Sequence, residues 1–293
     1  MEKGVDDMRK AALVILSILV IITLLVIIVS FIANSFFNQK VKKEVEDLFK
    51  NVENKDEIIR KEDLEGLPVC VQKWLENAQV IGNERIRTVR LKQKGLMRTK
   101  EDKPWMPAEA EQYFTVDEPG FIWKAKIKAA PLLYLVGRDK YSEGKGNMLI
   151  KILSLVTVVD ARGKEMDQGT MLRYLSETVW FPTAALSCYI KWEEIDSNSA
   201  KATMSYGDAT ASGVFIFNDK GDVVNFVTER YMEANGQYVL VTWSTPAKDY
   251  KEFNGIRIPN KGEAVWKLKT GDFSYYQVEI TEIEYNKPVV YQR

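Results

Sequence analysis

Phe121-Ile122-Trp123-Lys124-Ala125-Lys126-Ile127 alternates between apolar and polar side chains over its second half. That period of two belongs to a strand with one face buried and one face wet. Working outward, the same period recurs in Ile86-Arg87-Thr88-Val89-Arg90-Leu91, in 200–206, in Val265-Trp266-Lys267-Leu268 and in 276–285. Glu118-Pro119-Gly120, Asn218-Asp219-Lys220-Gly221, Asn235-Gly236 and Asn254-Gly255 punctuate these runs as turns. About twelve strands are expected at the 8–12-residue spacing of antiparallel sheets. The fold class is therefore mainly β (α+β), a single curved antiparallel sheet or half-barrel.

Two helices interrupt the period of two. Val71, Trp74, Leu75 and Ala78 form one apolar face after Pro68, which reads as a first helical residue, and this helix is expected to end near Gly82. Leu172, Leu175 and Val179 form another face in 166–185, a helix inserted among strands and stopped by Pro182.

Toward the N-terminus the pattern changes again. Ala11 to Ala33 is a run of 23 uncharged residues broken only by Ser17, Thr23 and Ser30. At 1.5 Å per residue it reaches about 34 Å, enough for a hydrocarbon core of about 30 Å. Ala33-Asn34-Ser35 is a poor cleavage site, so the run reads as an uncleaved single-pass anchor. Lys3, Arg9 and Lys10 before it balance Lys40, Lys42 and Lys43 after it, so the positive-inside rule does not orient it. A short head before a large domain is the layout of a signal anchor, which puts the domain outside the cytoplasm at the cell membrane. Val41, Val45, Leu48, Phe49 and Val52 continue at helical spacing among Lys and Glu. The expected division is a head over 1–10, an anchor over 11–33, an amphipathic stalk and linker over 34–65, and a β-rich domain over 66–293.

Composition narrows the chemistry. Lys plus Arg and Asp plus Glu both number 41, and there is no His. A balanced charge argues against nucleic acid as a partner. Without imidazole, Ser-His-Asp and Cys-His systems, HExxH zinc sites and His-ligated haem are excluded. Two cysteines, Cys70 and Cys188, make no disulfide scaffold, and their pairing is open. No cofactor or metal is expected.

Several side chains invite a functional reading. Arg173, Glu177 and Trp180 share one face of the inserted helix, away from its apolar stripe. They form either a polar-aromatic cluster directed into a pocket or an ordinary surface ion pair. Asp160, Glu165 and Asp167 offer paired carboxylates, although acids at a helix start are favoured by its dipole alone. Gly144-Lys145-Gly146 has the composition of a phosphate loop, but flanking strands make it a hairpin or bulge. Trp105, Trp123, Trp180, Trp192, Trp243 and Trp266 are spread over the domain. They either fill its core or line a concave apolar face suited to a lipid.

A set of sequence blocks carries a family resemblance. Trp105-Met106-Pro107-Ala108-Glu109-Ala110-Glu111-Gln112, Pro119-Gly120-Phe121-Ile122-Trp123, Gly137-Arg138-Asp139 and Gly144-Lys145-Gly146-Asn147-Met148 come first. Glu165-Met166-Asp167-Gln168-Gly169, Arg173-Tyr174-Leu175-Ser176-Glu177-Thr178-Val179-Trp180-Phe181-Pro182, Arg230-Tyr231 and Ile258-Pro259 follow in order. Over 64–293 the chain resembles an uncharacterised prokaryotic family of unknown function, often preceded by membrane segments. The resemblance implies an envelope setting and a shared polar pattern, with no activity attached. The inferred architecture is also similar, as an analogy of fold only, to the half-barrel of lipoprotein carriers.

The expectation is a membrane-anchored, non-enzymatic domain that binds a lipid-like or other apolar ligand, or an envelope partner. Arg138, Asp139, Arg173, Glu177 and Trp180 would border the site. One alternative is a hydrolase or lyase using Glu177, Asp167 or Glu165 as acid and base. Another is a structural or assembly protein with a filled interior.

Overall fold

A computed structural model describes residues 2–53, 55–234 and 236–292. Met1 of the expected head, Asn54 of the expected linker and Asn235 of one turn signal lie outside the described residues, as does Arg293. The fold is mainly β. Strands β1 (Thr88–Met97), β2 (Met106–Thr115), β3 (Gly120–Ala130), β4 (Leu133–Ser142), β5 (Lys145–Ile152) and β6 (Val156–Ala161) form a first meander. Strands β7 (Ile190–Asp196), β8 (Ser199–Tyr206), β9 (Ala209–Phe217), β10 (Val223–Ala234) and β11 (Gln237–Ser244) form a second. Strands β12 (Ala247–Phe253), β13 (Ile256–Leu268) and β14 (Gly271–Tyr285) close the chain. All pair in one antiparallel sheet in the order β6-β5-β4-β3-β2-β1-β14-β13-β11-β10-β9-β8-β7, with β12 beside β13.

Among the described residues, fourteen strands replace the expected twelve or so. β6 and β12 lie off the buried centre and expose most of both faces, so neither shows clean alternation in sequence. The register slips at Lys92/Gln93 on β1 against β14, at Ala264/Val265 on β13 and at Lys128/Ala130 on β3. Such bulges strengthen local twist and let a sheet curl.

Helix α1 spans Glu2–Phe49 and includes a stretch apolar enough to cross a membrane. Its last turns lie on the convex face, where Phe37, Val41, Val45 and Phe49 pack against Tyr113, Ile122, Val136 and Leu149. Beyond it, Ile59 and Leu64 are buried, and Ile58 bridges Glu84. Helix α2 (Val69–Asn77) buries Val71, Trp74 and Leu75, with Trp74 stacked 5.8 Å from Phe215. Pro68 precedes the first helical residue with an extended ψ of 143°. The helix ends five residues earlier than Gly82, because Gln79 turns to φ 62°.

Helix α3 (Lys164–Glu177) lies across the concave face against β4, β5, β9 and β10. The expected helix over 166–185 stops at Glu177 and continues as two 3-10 turns, Thr178–Trp180 and Pro182–Leu186. The break is at Phe181, whose φ of −141° precedes Pro182 and leaves the helical region. Aromatic rings fill one end of the interior, with Phe114 4.6 Å from Phe181 and Tyr174 5.6 Å from the same ring.

Candidate functional site: a hollow beneath the inserted helix

Gly146 on β5 positions α3. A Cβ there would lie 2.5 Å from the Met166 carbonyl oxygen, so only glycine allows the helix this close. Its N–H donates to Asp167 Oδ1 at 2.7 Å, and Lys145 Nζ reaches Asp167 Oδ2 at 3.2 Å. The Gly-Lys-Gly stretch is thus a hairpin, with Glu143 and Gly144 both at positive φ between β4 and β5. Asp167 is a first-turn acid that ties the helix to this hairpin. Asp160 is held elsewhere, by Asn147 Nδ2 at 2.8 Å. Among the described residues, no group of three or more His, Cys, Asp or Glu is placed to hold a metal. Cys70 and Cys188 are both free thiols, the first buried and the second exposed.

Two turns along α3, Arg173 faces the sheet. Its Nη1 lies 2.5 Å from Asp139 Oδ2, and its Nε lies 2.9 Å from Glu177 Oε1. Its guanidinium also stands 5.0 Å from the Phe121 ring and 4.9 Å from the Trp123 ring. Burial works against the charge on Arg173, but the carboxylates of Glu177 and Asp139 outweigh it and push the guanidinium pKa above its ordinary value. Burial pushes the Glu177 carboxyl up, against the opposing pull of Arg173 and of the Gln112 amide. The Arg-before-Glu pair is therefore an interior cluster.

A chain of neutral polar groups extends from it. Gln112 Nε2 donates to Glu177 Oε2 at 2.7 Å, and Gln93 Nε2 donates to Gln112 Oε1 at 3.1 Å. Trp123 Nε1 and the Tyr276 hydroxyl both donate to Gln93 Oε1, at 3.0 and 3.2 Å. Buried polar atoms need such partners, and here each amide is satisfied from both sides.

This cluster forms one wall of a hollow of about 360 Å³ between α3 and the sheet. Four of the six tryptophans singled out above (Trp123, Trp180, Trp243 and Trp266) border it, together with Met148 and Ile150. A second guanidinium, Arg230, projects from β10 into the opposite wall. It stacks 4.7 Å from the Trp243 ring, and its Nε donates to the Gly169 carbonyl at 3.2 Å. Arg98, at the end of β1, lines the hollow too and donates to the Ser274 carbonyl at 2.7 Å. Among the described residues, neither Arg98 nor Arg230 has a carboxylate within ion-pair distance.

Of the expected border residues, Asp139, Arg173, Glu177 and Trp180 meet at the hollow. The structure does not bring Arg138 there. Neighbouring strand residues point to opposite faces, so Arg138 lies on the convex side. There it is 3% exposed and pairs with Glu44 of α1 at 3.1 Å. Gln93 escaped the sequence reading, and Gln112 and Arg230 entered it only as members of the family blocks. Their signal was a polar residue on the inward parity of an apolar strand: Val89, Leu91, Gln93; Ala108, Ala110, Gln112, Phe114; Phe226, Thr228, Arg230, Met232.

No curated protein matches the chain. Among solved structures it is similar to a DUF1329 family protein from Desulfovibrio piger, at 8% identity and a TM-score of 0.42, covering 75% of this chain and 94% of that one. It is also similar to a LolA superfamily protein from Nitrosomonas europaea, at 9% identity and a TM-score of 0.32, covering 74% and 94%. One family model spans most of the domain just described, matching residues 57–278, and the chain belongs to that family of unknown function, DUF6544.

Proposed function

We propose that the hollow binds the apolar portion of a lipid-like ligand while α1 anchors the domain at a membrane. The observation that carries this reading is an open hollow of about 360 Å³, partly walled by Trp, Met and Ile side chains, beside the buried hydrophobic core. That size lies within the range of about 300–1,000 Å³ typical of ligand pockets. Apolar wall surface that meets water in such a hollow is covered favourably by a matching apolar ligand. Arg230 and Arg98 give the ligand an acidic end to prefer, since their guanidiniums face the space with only carbonyl, hydroxyl and ring partners.

The carboxylates fit binding better than acid-base chemistry. Asp139 and Glu177 share the Arg173 guanidinium, and Asp167 is occupied by Gly146 and Lys145. Asp167 and Glu177 are thus each held by a different cation.

Native mass spectrometry of the full chain released from mild detergent tests the reading. Co-purified lipid is expected, and it should be lost in Ile150→Trp, which fills the hollow from β5 while leaving the fold intact. A ligand-free mass for the unaltered chain in several detergents, with no uptake of added fatty acid, overturns it.

A further inference from the structure

Helix α1 meets the sheet at a revealing height. Ser30 lies three residues before the end of the apolar run, about 4.5 Å inside it. Yet Ser30 is buried by protein: its hydroxyl is 2.8 Å from the Tyr134 hydroxyl and donates to the Leu153 carbonyl at 2.8 Å. One turn later, Ser154 Oγ donates to Asn34 Oδ1 at 3.2 Å. The β3–β4 and β5–β6 turns are therefore pinned beside the last turn of the membrane-crossing segment.

These turns are apolar and uncovered. Leu132 is 79% exposed, Val156 is 59% exposed, and Leu133 and Val158 are exposed beside them. In a water-facing hairpin such residues would be a liability on the edge strand β6. Strand pairing sets both turns at one end of the sheet, because Ala130 faces Leu133 and Leu135 faces Ile152. Leu132 lies two residues beyond Tyr134, which carries it about 7 Å further along the strand direction at about 3.3 Å per residue. Tyr134 itself, a ring with a polar tip, suits the headgroup level.

We infer that the β3–β4 turn (131–133) and the start of β6 (155–158) are a second membrane contact, seated in the outer layer of the same lipid bilayer that α1 crosses. The surface is continuous with the apolar helix, and the Ser30 and Asn34 bonds hold it at that depth. An apolar face seated about 5–10 Å into the headgroup and acyl boundary is the known mode of interfacial contact. The consequence is a fixed posture. Ile127, Gly137 and Ile150, which line the hollow, sit on these same strands only a few residues from the turns. The contact does not depend on what the hollow holds.

The test uses the full chain with Cys70→Ala and Cys188→Ser, reconstituted in phosphatidylcholine vesicles. Single cysteines at Leu132→Cys, Val156→Cys and Glu118→Cys carry an environment-sensitive dye, Glu118 being exposed in the β2–β3 turn at the other end of the sheet. With nitroxide-labelled lipid, the dyes at 132 and 156 are expected to shift blue and lose most of their emission, and the dye at 118 to keep it. Equal emission at all three sites overturns the proposal. So does a blue shift at 132 without quenching that appears only at high protein-to-lipid ratio, because the patch would then be covered by a second copy of the chain. Circular dichroism matching the unlabelled chain shows that each variant has folded.

Discussion

Removing Arg173 probes the interior cluster most directly. Arg173→Met keeps the length of the side chain and its apolar packing but strands two carboxylates, Asp139 and Glu177, inside the hollow. Their side chains are 16% and 11% exposed, so water replaces the lost cation poorly. Breaking a buried pair from one side costs about 3–5 kcal/mol. The low end applies, because Glu177 is already biased toward its neutral form by burial and takes up a proton once Arg173 is gone. A loss of about 3 kcal/mol lowers the melting temperature of a domain this size by about 6–12 °C. The pH dependence has a definite sign. An acid whose folded pKa is raised contributes stability that is complete below its unfolded pKa of about 4.3 and is lost as pH rises through the folded value. The deficit of Arg173→Met should therefore shrink at pH 5 relative to pH 8, and Arg173→Met/Glu177→Gln should recover part of it at pH 8. Urea unfolding of the full chain in detergent, followed by tryptophan emission at both pH values, measures all of this. A deficit below about 1 kcal/mol, the scale of an exposed pair, would refute the buried-cluster reasoning.

Other outcomes follow from individual contacts. Gly146→Ala drives a Cβ against the Met166 carbonyl and should cost about 1–3 kcal/mol by overpacking, together with lipid retention, measured by urea unfolding and native mass spectrometry. Glu44→Ala leaves the Arg138 guanidinium unpaired under α1; a cost of about 1–3 kcal/mol and faster proteolytic cleavage between 50 and 60 are expected. At Asp222, burial pushes the carboxyl up, but Arg257 and the amides of Asn218 and Asn77 outweigh it and hold the pKa below the usual carboxylate range. Its contribution is present above the unfolded value of about 3.9 and lost as pH falls through the lower folded one, so Asp222→Asn should flatten the acid limb of stability in a pH titration. For topology, protease added to spheroplasts should digest the domain from outside; full protection would place it in the cytoplasm.

Much of the scaffold is local and was legible in the sequence. The alternation through Phe121 to Ile127 depends only on backbone pleat and on which face is wet, and the turn residues mark where strands reverse. The apolar run of α1, the faces of α2 and the existence of α3 depend on short-range periodicity in the same way. Four of the five proposed border residues also surfaced there, because Arg173, Glu177 and Trp180 share one face of a helix and Asp139 belongs to the Gly137-Arg138-Asp139 block. What the sequence could not express is side, depth and volume. Arg138 and Asp139 are adjacent letters on opposite faces of β4, and only the position of α1 on the convex side tells them apart. Gln93 carries no local motif and Arg230 only its place in a family block, since their roles arise from walls brought together across more than a hundred residues. Whether tryptophans fill a core or border a hollow is decided by how far a fourteen-stranded sheet curls around a single helix, a sum of twists and bulges that no short stretch contains.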